Sequence, residues 1–557
     1  MLDKQKNTWL CSYISTHQIF FNFLICILFI LIYVLRLDHV SGMYVDDAWY
    51  ILLGKAIATG KGYAMINSPT PGLLPPLYPP AFPFLLSLVF RIAPDFPQNV
   101  FLLKMVSVLA MIGVGIVSYQ YCKLIKKMPK KMAFGVASAV FLSPWAVLLT
   151  TSMVMSDSVF MLSSLLIIFL VELIIGKKNQ RYNWIYVVCI SSLMAFTFLT
   201  RSIAIGLIIA ALFYLLTKYM WAETIICLAT FVLLIAPWVY YASAHAVPPE
   251  QLQEQNGYVT QNYKNHFFSK KASVTILGRE SISDLPYRVW RNTKFLASRA
   301  IGEIIFPGNL YEVVSGDIAR IVFLQLVIIF FAVGFISISK RQVSLSEVYV
   351  FISLTMFAVW PFQETRYLLP LLPFLILYVL EAMSASLNLI IQKQELRRLV
   401  SRNTVLTILL WGVVAVYIFE HVKYIYDFHT HSKSQPIFIK KYEESEKIVT
   451  WINQNIPKDQ VIATDNPPLL YLLTGNKTIS SDELLTICSE PVSSRQYWDK
   501  LNVRYVVGPW VPPYFLQFTN HSLIYKPKGS AYLTVAEIVK TEQARPVNFL
   551  PAADQDY

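Results

Sequence analysis

Apolar residues along this chain gather into long unbroken runs separated by short polar segments, and do not recur at the spacing of a half-buried helix or strand. Runs of about 17–25 apolar residues, the length that crosses a bilayer core, lie at 19–36, 99–118, 132–150, 158–175, 184–200, 203–217, 222–240, 319–338, 345–360, 366–384 and 403–419. The pattern predicts eleven transmembrane helices. Between the first two runs, "DDAWYILLGKAIATGKGY" reads as an amphipathic helix with Tyr50, Leu53 and Ile57 on one stripe, ended by Gly60 and Gly62. After a proline-rich break, an apolar segment of about 10 residues from Phe82 is too short to span and is expected to lie in the interface plane. Beyond residue 425 the pattern changes. "IKKYEESEKIVTWINQNIP" predicts a helix, "QVIATD" a strand and "PPLLYLLTG" a short helix stopped by Gly475. "KTIS" and "VRYVVGP" read as strands flanking a helix-like "SSRQYWDKLN", and "SLIYKP" with "AYLTVAEIV" as a hairpin. Two domains are expected: an all-α polytopic membrane domain over 1–425 and a small α/β domain over 426–557.

Composition bears on the same point. A chain of 557 residues with 55% hydrophobic and 15% charged residues and a mean hydropathy of +0.50 has too much apolar surface for a soluble fold. Lys and Arg then set the orientation, because basic loops stay in the cytoplasm. One set of alternate segments holds Lys4 and Lys6, "CKLIKKMPKK", "GKKNQR", Lys218, "SKRQ" and "QKQELRRLVSR", and the opposite short segments hold almost none. The N-terminus is therefore expected inside, with 37–98, 241–318 and 420–557 on the extracytoplasmic face of the cytoplasmic (inner) membrane. The first run lacks a small-x-small cleavage site and reads as an uncleaved anchor. Of six cysteines only Cys488 falls outside, which excludes a disulfide framework. The net charge of +13 reflects cytoplasmic loops facing anionic lipid, with no nucleic-acid patch.

Two function classes lose ground on these grounds. An ion-coupled transporter needs ionisable groups near the midplane, yet Glu172, Glu223, Glu381 and Glu420 all fall at span ends, and Lys104 lies near the outer end of its span, where it can snorkel. A cytosolic nucleotide has nowhere to bind, since the inner loops run to roughly 20 residues and carry no glycine-rich phosphate motif. Any activated substrate must arrive in the membrane.

Polar groups collect instead along the outer rim: Asp46 and Asp47 after the first span, Asp157 in "MVMSDSVF", Arg201 in "TRSIAIG" and Arg366 in "WPFQETRYLLPLLPFL". Singly, each suits a span end meeting water. Together they suit carboxylates that orient or deprotonate a hydroxyl and guanidiniums that hold a departing phosphate. In "YRVWRNTKFLASRA", Arg288, Arg291 and Lys294 recur every third residue and would line one side of a helix, resting on headgroups or gripping a ligand phosphate. His429 and His431 form a His-x-His pair in a juxtamembrane linker, where solvation is a more ordinary fate than metal binding.

The ordered set "DDAWY…GKGY", "PPLYPPAFPFLLSL", "TRSIAIG", "RYLLPLLPFL" and "WINQNIPKDQVIATDNPPLLYLLTGNKT" resembles the polyprenyl-phosphate-dependent glycosyltransferases of the GT-C fold. Within them it is similar to the bacterial branch that includes the aminoarabinose transferase for lipid A and, more distantly, to protein O-mannosyltransferases. The resemblance spans nearly the whole chain. It implies a membrane enzyme that moves a sugar, with inversion, from a polyprenyl-phosphate donor to a lipid, glycan or protein acceptor at the outer face. It implies Asp46 as the key catalytic carboxylate in a D-[DE]-x-x-[YF] pattern with Asp47 and Tyr50, Asp157 as the second acidic position, and Arg366 facing the donor phosphate; Arg201 matches a recurrent Thr-Arg pair. Apart from the resemblance, Arg201, Lys104, Arg288 or Arg291 are expected to help Arg366 hold that phosphate. Tyr50, Tyr78, Glu364 and Tyr367 stand in the same motifs and are expected to line the substrate pocket. Where relatives often have Glu, this chain has Asp47, whose shorter arm suits a helix cap. No cofactor is required by this reading, although Asp46 and Asp157 could share a divalent cation. A lipid or sugar flippase and a membrane-anchored envelope assembly protein are the competing readings; the first should carry midplane charge, and the second would need no carboxylate pair.

Overall fold

The structure, a computed structural model, describes residues 23–44, 46–75, 77–176, 184–245, 263–269, 280–306, 317–390, 401–430, 437–480, 501, 503–508, 521–525 and 534–538. Within the described residues, every apolar run is largely helical. In chain order these are α1 (Phe23–Arg36), α2 (Asp46–Ala58), α3 (Ala81–Ile92), α4 (Val100–Gln120, continued by a π-helical turn at Tyr121–Ile125), α5 (Lys130–Phe141), α6 (Pro144–Thr151), α7 (Asp157–Gly176) and α8 (Trp184–Thr200). There follow α9 (Ile205–Thr217), α10 (Trp221–Ala244), α11 (Tyr263–Phe267), α12 (Leu285–Phe295), α13 (Ile301–Ile305), α14 (Asp317–Arg341), α15 (Leu345–Val359), α16 (Leu372–Ile390, preceded by a 3-10 turn at Thr365–Leu371) and α17 (Arg402–His429).

Among the described residues, six helices are long and apolar enough to cross a membrane, or seven if α5 and α6 count as one span bent by 46°. The chain is a multi-pass membrane protein. The run at 132–150, expected as one helix, breaks at Leu142–Ser143, because Ser143 is not helical (φ −53°, ψ 128°) and Pro144 starts a new helix. α1, α8, α9 and α15 are shorter, at 10–17 residues with flanking turns.

A polar knot ties one end of the bundle. There Glu172 on α7 accepts from the Ser346 N–H (3.1 Å) and the Tyr121 hydroxyl (3.3 Å), while Glu347 on α15 accepts from Tyr378 (3.1 Å) and lies 3.8 Å from Lys126. These contacts join α4, α7, α15 and α16. At the other end lie α2 and α3, which pack face to face: Tyr50 stands edge-on to Phe82, with ring centroids 5.1 Å apart. At 12 residues α3 is about 18 Å long, short of the membrane core, as its sequence implies.

Past α17 come α18 (Ile437–Asn455), β1 (Val461–Thr464), α19 (Pro467–Thr474), β2 (Thr478–Ser480), β3 (Val503–Gly508), β4 (His521–Tyr525) and β5 (Thr534–Ile538). The strands form a five-stranded sheet in the order β2-β1-β3-β5-β4, parallel across β2, β1 and β3 and antiparallel across β3, β5 and β4. Ile448, Ile452, Ile462, Leu470, Val507 and Val535 form a core between this sheet and its helices. Asn466 caps α19, Pro467 and Pro468 take its first turn, and Gly475 ends it in the left-handed region (φ 77°), where a side chain would be strained. The helix-like segment 493–502, His431, Cys11 and Cys488 lie outside the described residues, apart from Leu501.

Candidate active site

Four charged side chains from four separate segments meet at the end of the bundle that carries α2 and α3. Asp46, the first residue of α2, accepts a hydrogen bond from the Tyr78 hydroxyl on Oδ1 (2.7 Å) and one from Arg366 Nη2 on Oδ2 (2.6 Å). Asp157, the first residue of α7, pairs through Oδ1 with Arg201 Nη1 at 2.6 Å. The two pairs share a wall, since the guanidinium carbons of Arg201 and Arg366 lie 5.9 and 5.6 Å from the centre of the Tyr367 ring. Tyr50 links the halves: its hydroxyl accepts from Ser156 (3.0 Å), the residue before Asp157, and its ring stands edge-on to Tyr78 at 5.3 Å. Among the described residues, Arg366 Nη1 and Asp157 Oδ2 have no hydrogen-bond partner, and Arg201 Nη1 meets only the ion pair with Asp157. A buried donor and a buried acceptor left open in one cluster are costly unless a ligand meets them.

Electrostatics differentiates the two adjacent carboxylates. Burial works against the charge of Asp46, but Arg366, the Tyr78 hydroxyl and Arg201 outweigh it and hold the group below its ordinary pKa. Asp47 is fully buried; burial pushes its pKa up to about 6, against hydrogen bonds from the backbone N–H groups of Gly42, Tyr44 and Ala48. Those bonds, at 2.6, 3.0 and 3.0 Å, occupy both of its oxygens. Asp47, expected as a catalytic group, is placed as the clasp of the turn that starts α2, in keeping with its short arm.

Two expected phosphate ligands are engaged elsewhere. Lys104 does not snorkel: it is fully buried, with Nζ donating to the Asp38 carbonyl (2.6 Å) and pairing with Asp38 Oδ1 (2.7 Å). A buried ammonium must be paired where it sits. Arg288 points inward from α12, donating to the carbonyls of Phe267 (2.6 Å), Ser269 (3.3 Å) and Val359 (3.5 Å) and pairing with Glu280. Its neighbour Asn292 donates to the Trp360 carbonyl (2.6 Å), so this face of α12 staples the end of α15 and the segment leading to Arg366. Arg291 is half-buried and Lys294 exposed, and the outward face presents Tyr287 and Trp290 instead of a basic stripe. Glu364 and Tyr367 flank Arg366 in the same turn, and the Glu364 carboxyl is raised by burial, opposed by Arg366 and reinforced by Asp46 and Asp157.

His266 was not legible in the sequence. It is buried against Phe362 (5.0 Å between ring centres), and burial pushes its pKa down to about 4, against the pull of Asp46. Tyr263 bonds to Ser202, next to Arg201, and to the Leu77 carbonyl at 3.3 Å. Both stand in a long loop without periodicity, where no pattern marks them. For a cation the fit is poor: among the described residues no three His, Cys, Asp or Glu side chains gather, and Asp46 and Asp157 each already face a guanidinium.

No family model matches the chain, and a search of curated proteins finds no match. Solved structures do resemble it. ArnT from Cupriavidus metallidurans bound to undecaprenyl phosphate superposes with a TM-score of 0.57 at 11% identity, covering 95% of this chain and 99% of that one. The archaeal oligosaccharyltransferase AglB from Archaeoglobus fulgidus, in complex with an inhibitory peptide and a dolichol-phosphate, gives 0.52 at 12% identity over 95% and 75%. At such identities the likeness shows a shared fold. The chain has the GT-C fold of these membrane proteins.

Proposed function

We propose that the chain is a membrane glycosyltransferase that transfers one sugar, with inversion, from a polyprenyl-phosphate carrier to a lipid, glycan or protein acceptor at the outer face of the cytoplasmic membrane. The observation that carries this is the Asp46–Arg366 pair with Arg366 Nη1 still open beside Arg201 and Asp157. The lipid phosphates bound in the ArnT and AglB structures match what two clustered guanidiniums would hold. In the step itself, the acceptor oxygen attacks the anomeric carbon on the face opposite the phosphate. The bond from that carbon to the phosphate oxygen breaks, the polyprenyl phosphate leaves with the electron pair onto Arg366 and Arg201, and the acceptor proton passes to Asp46. A carboxylate held below its ordinary pKa is a weak base, so proton uptake accompanies bond formation and does not precede it. The α2–α3 layer over the site would exclude water that could hydrolyse the donor.

Parity supports an even number of crossings between the partners of each ion pair, as the eleven expected spans provide. Residues that form an ion pair share a membrane side, so an even number of crossings separates them. Asp157 and Arg201 are separated by α7 and α8; since α7 has span length, α8 must cross as well. Counting the six long helices leaves one crossing between these partners, and counting seven leaves five between Asp46 and Arg366 (α4, α5–α6, α7, α10 and α14), both odd. Eleven keeps every pair even. With the basic loops inside, the N-terminus is then cytoplasmic, and the elements from α18 onward form an extracytoplasmic α/β domain, beginning near the end of α17.

Mass spectrometry of envelope glycans and lipids from cells with and without the gene tests the reading. A missing hexose, pentose or amino sugar is expected, restored by the wild-type chain and not by Asp46→Asn. Restoration by Asp46→Asn would overturn it.

A further inference from the structure

The C-terminal elements touch the first outer loop on both sides of the helix that carries Asp46. On the near side, the Asn466 amide faces two ways: Oδ1 caps α19 by accepting from the Leu469 N–H (3.4 Å), and Nδ2 donates to the Gly42 carbonyl at 2.6 Å. The N–H of that same glycine donates to Asp47 Oδ2. Leu469 closes on it too: a Cβ at Gly42 would sit 2.7 Å from Leu469 Cδ1, and its φ of +78° already disfavours a side chain. On the far side, the Thr478 N–H donates to the Asn67 carbonyl (2.9 Å), Lys477 Nζ to the Ile66 carbonyl (2.7 Å) and Asn67 Nδ2 to Thr478 Oγ1 (3.2 Å). Asn67 and Thr478 are fully buried. Residues 42–67, with α2 between them, are thus pinned at both ends by 466–478.

We propose that Asn466 is a positioning residue for Asp46. Through Gly42 and Asp47 it fixes the first turn of α2, so that the Asp46 carboxylate meets substrate in one geometry; this gives the C-terminal domain a task in the transfer step. The inference rests on the reading of Asp46 as the reacting carboxylate. Asn466 itself reaches no charged member of the site, and its effect is geometric: a displacement of about 1 Å at a reacting group costs on the order of 10²-fold in rate.

The test uses the full-length protein in detergent. Asn466→Asp keeps the acceptor that caps α19 but removes the donor and sets a carboxylate against the Gly42 carbonyl. Asn466→Ser also keeps a cap, but its hydroxyl is too short to hold both partners. Neither alters Arg201 or Arg366. Binding of undecaprenyl phosphate is expected to stay within about twofold of wild type, while kcat with a panel of synthetic undecaprenyl-phosphate hexoses and pentoses falls about 10–100-fold and KM for the donor stays within about threefold. Wild-type kcat in either variant would overturn the proposal. So would loss of undecaprenyl phosphate binding in both, since Asn466 would then be holding the fold and not the carboxylate. Asp46→Asn measured alongside separates the two levels: if it retains wild-type kcat, the transferase assignment fails and takes this inference with it.

Discussion

Asp46 is engaged by two hydrogen bonds before any substrate arrives, and one of its donors, Arg366, has a second nitrogen, Nη1, without a hydrogen-bond partner among the described residues. A guanidinium can bind a carboxylate on one edge and a phosphate on another because its donors are fixed in a plane; an ammonium cannot reproduce that division. Arg366→Lys therefore keeps the charge but forces a choice between Asp46 and the leaving phosphate. Turnover is expected to fall about 10²-fold, the cost typical of losing one preorganised donor to a developing anion. The check is initial-rate kinetics in membranes carrying equal amounts of each protein. Asp47 shows a different use of an identical side chain one residue away, where three backbone N–H groups hold both of its oxygens to the turn that starts α2.

The α2–α3 layer, proposed above to cover this site, depends on one glycine. A Cβ at Gly54 on α2 would lie 2.9 Å from Leu86 Cβ and 3.2 Å from the Pro83 carbonyl, so only glycine lets α2 and α3 approach this closely. Gly54→Val should wedge the helices apart at a cost of about 1–3 kcal/mol, lowering the thermal midpoint in detergent and raising donor hydrolysis relative to transfer. Helices such as α3 were legible because apolar length alone decides whether a segment spans, and the four-charge cluster was legible because Asp46, Asp157, Arg201 and Arg366 sit between apolar runs with few competing charges. Buried cations were misread for the converse reason. Arg288 and Lys104 look like surface residues by type, and only the fold supplies the carbonyls and the Asp38 carboxylate that satisfy them. The break in α5–α6 was visible only as a Ser-Pro step inside an apolar run. Asn466 was invisible as a tether because its partner, Gly42, lies 424 positions away.

At the scale of the whole molecule the ion pairs divide the bundle into two faces, and that division can be read chemically. With the native cysteines replaced, a cysteine at exposed Lys61 should react with a membrane-impermeant maleimide added to intact spheroplasts, and one at exposed Lys130 only after permeabilisation. Reaction of Lys130→Cys in intact spheroplasts would reverse the topology. The Glu172, Glu347, Lys126 and Tyr121 knot at the face opposite the site has a mechanical corollary. Parting α4, α7, α15 and α16 there would strand Glu172 and Glu347 without their donors, so a carrier with a long hydrocarbon tail is expected to load from the leaflet nearest Asp46.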